Sequence, residues 1–127
     1  MGKMKDEQIR VLNLRQQILD SQDIESKVIT IPQWGGAEIL VSELTAEERD
    51  EVNRVSVGED GKITPELLGM NFFVACIRDP KTKERIFTVE DIPSLKVRGT
   101  KVMERIQRLI SKVNGLMENY REDYEKN

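Results

Sequence analysis

Apolar residues recur at intervals of three and four positions over residues 6–21, which predicts an amphipathic first helix. The apolar side chains fall on one face of this helix and on its flank: Val11, Leu14 and Ile18, with Leu12 and Leu19 beside them. Two interpretations of this face remain open. Either the helix docks on the core of its own chain, or the face is exposed and contacts a partner or another copy.

Two strands and a tight turn are predicted next. Residues 28–31 are rich in β-branched side chains and end at Pro32, whose missing backbone donor stops the strand or confines it to a sheet edge. The glycine pair at 35–36 supplies a turn, and residues 39–44 return as a second strand, so the two strands form a hairpin. Trp34 lies near the bend, where a core or corner anchor is favoured over a binding residue.

Signals for helix starts mark the next two elements. Thr45 and Glu48 have the spacing of a capping box, in which each side chain accepts a hydrogen bond from the other residue's backbone amide. A helix therefore begins here, and it should end near Gly58. Pro65 suits the first turn of the following helix, after a cap by Thr64.

The apolar run over residues 70–77 is the best candidate for a core helix. A short helical turn is predicted over residues 89–95. A longer helix begins after Gly99, and Gly115 either ends or weakens it. One face of this last helix is apolar: Val102, Ile106, Leu109 and Val113, flanked by Ile110 and Met117.

Together these elements predict an α+β fold that is mostly helical, with a small antiparallel β-hairpin packed on the helices. A chain of 127 residues, of which 38% are hydrophobic and 34% charged, fits one folded domain with a highly charged surface. The expected domain spans residues 1–127. Within it, residues 1–25 form an N-terminal helical extension and residues 117–127 a polar C-terminal tail.

Catalytic and metal-binding chemistry finds little support in the composition. The chain has no histidine and one cysteine, which excludes Cys-His and Ser-His-Asp catalysis as well as tetrahedral zinc sites. Cys76 lies inside an apolar run, where a buried small side chain is expected. We therefore predict no enzyme activity, no catalytic residue, no metal and no cofactor.

The charged residues are segregated along the chain. A basic stripe follows the last helix at three- and four-residue spacing: Arg98, Lys101, Arg105, Arg108 and Lys112. With a net charge of −3 and 5% aromatic residues, a solvated face is the leading interpretation, an acidic protein partner the next, and nucleic acid a distant third. Acidic clusters at 47–51 and 118–125 also predict weak self-association at low salt. No segment is apolar enough for a signal peptide or a bilayer crossing, so we expect a cytosolic protein.

Four blocks of residues, in this order and spacing, resemble the small tail assembly chaperones of long-tailed bacteriophages. The first block has a Pro-x-Trp-Gly-Gly turn followed by Glu-Leu-Thr-x-x-Glu-Arg-Asp. The second ends the apolar helix, the third leads into the short helix, and the fourth comprises residues within and at the end of the last helix. The matching residues are Pro32, Trp34, Gly35, Gly36, Glu43, Leu44, Thr45, Glu48, Arg49 and Asp50, then 76–79, 86–92, Arg105, Ile106 and 113–116. The resemblance covers roughly residues 28–116.

The resemblance implies a non-enzymatic protein that binds the tape-measure protein and keeps it soluble while the tail tube assembles. It also implies action in the host cell cytoplasm, absence from the mature virion, and a longer frameshifted form that recruits the tail tube protein. The alternative is a structural tail or connector component of the particle. Apolar helix faces beside charged residues are compatible with binding of amphipathic helices.

Candidate partner-binding residues follow from the two apolar faces whose packing the sequence leaves open: Val11, Leu14 and Ile18, or Leu116, Met117 and Tyr120. Structural roles are expected for the turn and capping residues: Trp34, Gly35, Gly36, Thr45 and Glu48. Trp34 and residues 72–77 are expected to build the core.

Overall fold

A computed structural model of the chain describes residues 5–116. The helices and strands in this part are α1 (Asp6–Leu19), β1 (Ser26–Ile31), β2 (Ala37–Ser42), α2 (Ala46–Val55), α3 (Pro65–Cys76), β3 (Ile77–Arg78), α4 (Ile92–Leu95) and α5 (Thr100–Val113). Short 3-10 helices lie at Pro32–Trp34 and Val89–Asp91. The predicted α+β class, mostly helical with a small antiparallel sheet, is confirmed.

The sheet is antiparallel, with strand order β1-β2-β3. The hairpin is confirmed: β1 pairs with β2 along its whole length, with Ser26 opposite Ser42. A third strand adds to it, because the chain leaves the helical conformation after Cys76, one residue earlier than predicted, and Ile77 pairs with Val41. This short strand was not predicted from the sequence.

The boundaries of the hairpin strands differ from the prediction by about two residues. The second strand occupies Ala37–Ser42 instead of residues 39–44, and the first begins at Ser26. Beyond Ser42 one more hydrogen bond joins the two segments, from the Glu43 N–H to the carbonyl of Glu25 at 2.8 Å. The Leu44 N–H then donates to the side chain of Asn114, 3.0 Å away, so a tertiary contact replaces sheet pairing at this residue.

The core lies between one face of the sheet and the helices α3 and α5, and α2 packs on α3. Helix α3 contributes an uninterrupted buried run over residues 71–76, as expected for a helix that is apolar on all sides. Helix α5 buries a stripe at four- and three-residue spacing: Val102, Ile106, Ile110 and Val113. Ile110 thus takes the buried position predicted for Leu109, which is half-buried.

The predicted capping signals at the starts of α2 and α3 have different outcomes. The capping box of α2 is confirmed, since the Glu48 N–H donates to Thr45 Oγ1 at 3.1 Å and the Thr45 N–H donates to Glu48 Oε1 at 3.0 Å. The prediction for Thr64 is wrong in part: it precedes α3, but its side chain makes no capping hydrogen bond. Its backbone N–H donates instead to the carbonyl of Ser56. Gly115, with φ of +71°, follows the end of α5.

Candidate partner-binding surface

Helix α1 exposes its apolar side chains to solvent. None of its 14 residues is buried, and six large apolar side chains are 43–62% exposed: Ile9, Val11, Leu12, Leu14, Ile18 and Leu19. The interpretation in which this helix docks on the core of its own chain is therefore wrong. The helix ends at Leu19, two residues earlier than predicted. A helix of this length without packing is marginally stable in water, so a partner on its apolar face would stabilise it.

The apolar residues of α1 form two stripes. At about 100° per residue, Val11, Leu14 and Ile18 make one row, called stripe A. A second row, called stripe B, comprises Ile9, Leu12 and Leu19. Together the stripes cover more than half of the helix circumference, so α1 offers a broad surface to another helix.

Arg15 lies in the seam between the two stripes. Its neighbours at three and four positions along the helix are all apolar: Val11, Leu12, Ile18 and Leu19. The side chain is exposed, and it makes no ion pair within residues 5–116. Arg15 is not among the candidate residues predicted from the sequence, although the spacing of its apolar neighbours is visible there.

The second group of candidate contacts lies elsewhere. Leu116 is half-buried and packs against the core, directly after Gly115. Met117 and Tyr120 lie outside the described residues. Among the candidate contacts that the structure describes, those on α1 are exposed, whereas Leu116 is half-buried against the core.

The Trp-Gly-Gly turn joins β1 to β2. Gly35 and Gly36 have φ values of +66° and +76°, a region that side chains with a Cβ rarely adopt, which explains the glycine pair. Trp34 is half-buried and packs against the core, in line with its predicted anchoring role. Its open side lines a surface depression together with Phe87 and Arg98.

Residues from three of the resembling blocks meet at the end of α5. The Asn114 side chain accepts the hydrogen bond from Leu44 through Oδ1, and its Nδ2 donates to the carbonyl of Ile110 at 2.8 Å. The same Nδ2 lies 3.6 Å from the sulfur of Cys76. Cys76 is fully buried, as predicted, and this burial raises the pKa of its thiol to about 11 despite the contact with Asn114.

Glu48 forms a second junction between these blocks. Its Oε2 accepts from Arg78 at 2.6 Å and from Arg85 at 3.2 Å. Partial burial by itself raises the pKa of this carboxyl group, but hydrogen bonds from Thr45 and Arg78 outweigh it and lower the pKa from 4.5 to about 2. The carboxylate therefore holds the start of α2 against β3, which is a structural role.

The basic stripe of α5 lies in solvent, in line with the leading interpretation of a solvated face. All five side chains are exposed: Arg98, Lys101, Arg105, Arg108 and Lys112. Within the described range none of them forms an ion pair, and Arg105 Nη1 donates to the carbonyl of Thr30 at 3.4 Å.

No group of three or more His, Cys, Asp or Glu side chains among residues 5–116 is arranged to hold a metal ion. In the same residues, no helix has both the length and the apolar content needed to cross a bilayer.

The fold of this chain is similar to that of a solved bacteriophage protein. No protein-family model matches the chain, and no curated protein matches it in sequence. The solved structure of the bacteriophage HK97 tail assembly chaperone is similar, with a TM-score of 0.52 and 16% sequence identity. The match covers 81% of this chain and 94% of that one. The resemblance indicated by the motif blocks is thus confirmed for the fold: the chain has the α+β fold of this bacteriophage tail assembly chaperone.

Proposed function

We propose that this protein is a non-enzymatic bacteriophage tail assembly chaperone that binds the tape-measure protein and keeps it soluble during assembly of the tail tube. It acts in the host cell cytoplasm and is absent from the mature virion. A longer frameshifted form would bring in the tail tube protein.

The observation that carries the proposal is the fold shared with the HK97 tail assembly chaperone. The motif blocks that resemble this family support it, because their residues meet in space at Asn114 and Glu48. They hold the fold together, and we assign the binding surface to another part of the molecule.

Helix α1 supplies a surface suited to the task. A chaperone of long amphipathic helices needs apolar groups that remain accessible on a folded body. Stripe A of α1 is exposed, while the buried core lies between the sheet and α3 and α5. The tape-measure chain would pack its apolar face on α1 and be shielded from aggregation.

Coexpression with the tape-measure protein of the same phage tests this function. The soluble fraction of the tape-measure protein and its copurification with the full-length chaperone are measured. We expect the double variant Leu14→Gln/Ile18→Gln to weaken binding at least about tenfold, since tenfold corresponds to about 1.4 kcal/mol and burial of one such apolar side chain is worth roughly 1.5–3 kcal/mol. The control Asn13→Ser/Gln17→Ser changes the polar face of the same helix and should bind normally.

Failure of the wild-type chain to solubilise or copurify the tape-measure protein would overturn the proposed function. Equal binding by both double variants would overturn only the assignment to α1. Mass spectrometry of purified particles separates a chaperone from a structural tail component, because a structural component would be present in stoichiometric amount.

A further inference from the structure

We propose that α1 takes a partner helix whose apolar face is bordered by acidic residues, one of them opposite Arg15, so that the docked helix is selected by charge and register. This inference rests on the proposed function, because it defines the chemistry of the helix that α1 would bind. The structural basis is the juxtaposition, on one helix, of two exposed apolar stripes with a guanidinium that has no ion pair within residues 5–116.

Docking on α1 removes water from Arg15. A helix that covers stripes A and B also covers the seam between them, where Arg15 lies among apolar neighbours. A desolvated guanidinium without a partner is costly, whereas a carboxylate at this position forms paired, charge-assisted hydrogen bonds with it. A single polar pair within an apolar seam also favours one register over its alternatives.

Arg10 strengthens the same preference. On the helical wheel it lies about 75° from the centre of stripe A, on the side opposite Arg15, so the stripe has an arginine along each edge. Arg10 is exposed and, like Arg15, forms no ion pair within the described residues. Asp6 and Glu7 lie four and three positions before Arg10 and balance its charge, so the edge that carries Arg15 is the more basic one. A helix with acidic residues beside its apolar stripe therefore complements the Arg15 edge first.

A second copy of α1 does not provide this complement. In an antiparallel pair that places Val11 opposite Leu14, position 15 of one copy lies opposite position 10 of the other, so arginine faces arginine. A parallel pair in register also places Arg15 against Arg15. Glu7 opposes Arg15 when two antiparallel copies pair with Val11 opposite Val11, but in that register Ile18 and Leu19 of each copy extend beyond the other helix and lose their contacts.

An anionic lipid surface is also a poorer match. Helices that lie on such membranes carry Lys and Arg along the polar face. The polar side of α1 instead has Asp6, Asn13 and Gln17 beside Arg10, and the two acidic and two basic residues of the helix cancel. The charge pattern of α1 favours a protein helix.

Two synthetic helical peptides test the charge preference on the full-length chain. Both have about three heptads with Leu at the a and d positions; one carries Glu at e and g, and the other Lys. Fluorescence anisotropy at low salt should show at least about tenfold tighter binding of the Glu peptide, with a smaller difference at high salt. Arg15→Gln should remove most of this preference, whereas Arg49→Gln, an exposed arginine on α2, should retain it.

Several outcomes would overturn the inference. Equal binding of both peptides would remove the charge preference. A preference that survives in Arg15→Gln would remove the role of Arg15. If neither peptide binds, and anionic lipid vesicles bind wild type but not Arg15→Gln, the surface is a lipid-binding surface. If neither peptide binds, and sedimentation shows that wild type self-associates but Leu14→Gln/Ile18→Gln does not, the surface binds a second copy of the chain.

The tape-measure coexpression separates this inference from the proposed function. If Arg15→Glu loses copurification while Arg49→Glu retains it, the tape-measure helix uses the charge contact. If Arg15→Glu binds as well as wild type, the chaperone function stands and the inference falls. If the wild-type chain fails to bind the tape-measure protein yet prefers the Glu peptide through Arg15, the function falls and the surface chemistry stands.

Discussion

At the scale of single residues, Glu48 joins segments that are distant in the chain. It belongs to the capping box of α2, and its carboxylate also accepts from Arg78 and Arg85. The capping role is visible in the sequence as a local spacing. The ion pairs are visible only in the structure, because the arginines are 30 and 37 positions away.

Acid stability should depend on Glu48. Its pKa of about 2 in the folded chain is below the ordinary value of 4.5, so the stabilisation is fully present above pH 4.5 and is lost as the pH falls from 4.5 to 2. Glu48→Gln keeps a capping side chain but loses the charge. We expect the free energy of unfolding at pH 7 to fall by about 1–2 kcal/mol, with a weaker pH dependence below 4.5.

Urea unfolding at a series of pH values measures this effect. Glu47→Gln is the matched control, since Glu47 is exposed and lies in the same first turn of α2. Parallel pH profiles for wild type and Glu48→Gln would contradict the prediction.

Asn114 should stabilise the folded chain by accepting a hydrogen bond from the backbone of a distant loop. In Asn114→Ala the N–H of Leu44 loses its acceptor in a part-buried position, so we expect a loss of about 1–3 kcal/mol in the free energy of unfolding. Thermal or urea unfolding measures it, with Asn13→Ala on exposed α1 as the control. Equal stability of the two variants would show that water replaces the side chain.

At the scale of elements, the hairpin and α3 place glycine in different surroundings. Gly36 has a φ of +76° at the hairpin turn. Gly69 lies within α3, where an added Cβ would meet no heavy atom of the surrounding structure within 4 Å. A methyl group is therefore strained at the turn and favoured in the helix.

Alanine substitutions at these two glycines should have opposite signs. Gly36→Ala should lower the free energy of unfolding by about 1–2 kcal/mol, the cost of a left-handed conformation. Gly69→Ala should raise it by about 0.5–1 kcal/mol, because alanine is a better helix former. Urea unfolding of both variants measures the two changes in free energy. A stabilising effect of Gly36→Ala would contradict the explanation that the turn needs glycine for its left-handed conformation.

At the scale of the whole molecule, stability should be distributed unevenly. The sheet, α3 and α5 share one core, while α1 buries none of its residues. Local opening needs little free energy where few apolar contacts are lost. The part that recognises a partner would thus be the least protected part of the free protein.

Amide hydrogen exchange followed by NMR should show this difference. In the free chain we expect α1 amides to exchange with little protection and the central amides of β2 and α5 to approach the protection set by global unfolding. Saturation with the Glu peptide should slow exchange in α1. Equal protection of α1 and α5 in the free chain would contradict the unpacked state of α1.

Features that depend on neighbours along the chain could be predicted from the sequence alone. Three such features are the capping box of α2, the glycine turn after Trp34 and the helical spacing of α5, which arise from backbone geometry within a few residues. The α+β class follows from the set of elements that these local patterns predict. Which faces are covered depended on tertiary packing. That packing paired Ile77 with Val41, brought Asn114 to Leu44 and left α1 exposed, because spacing defines a face of an element but not what packs against it.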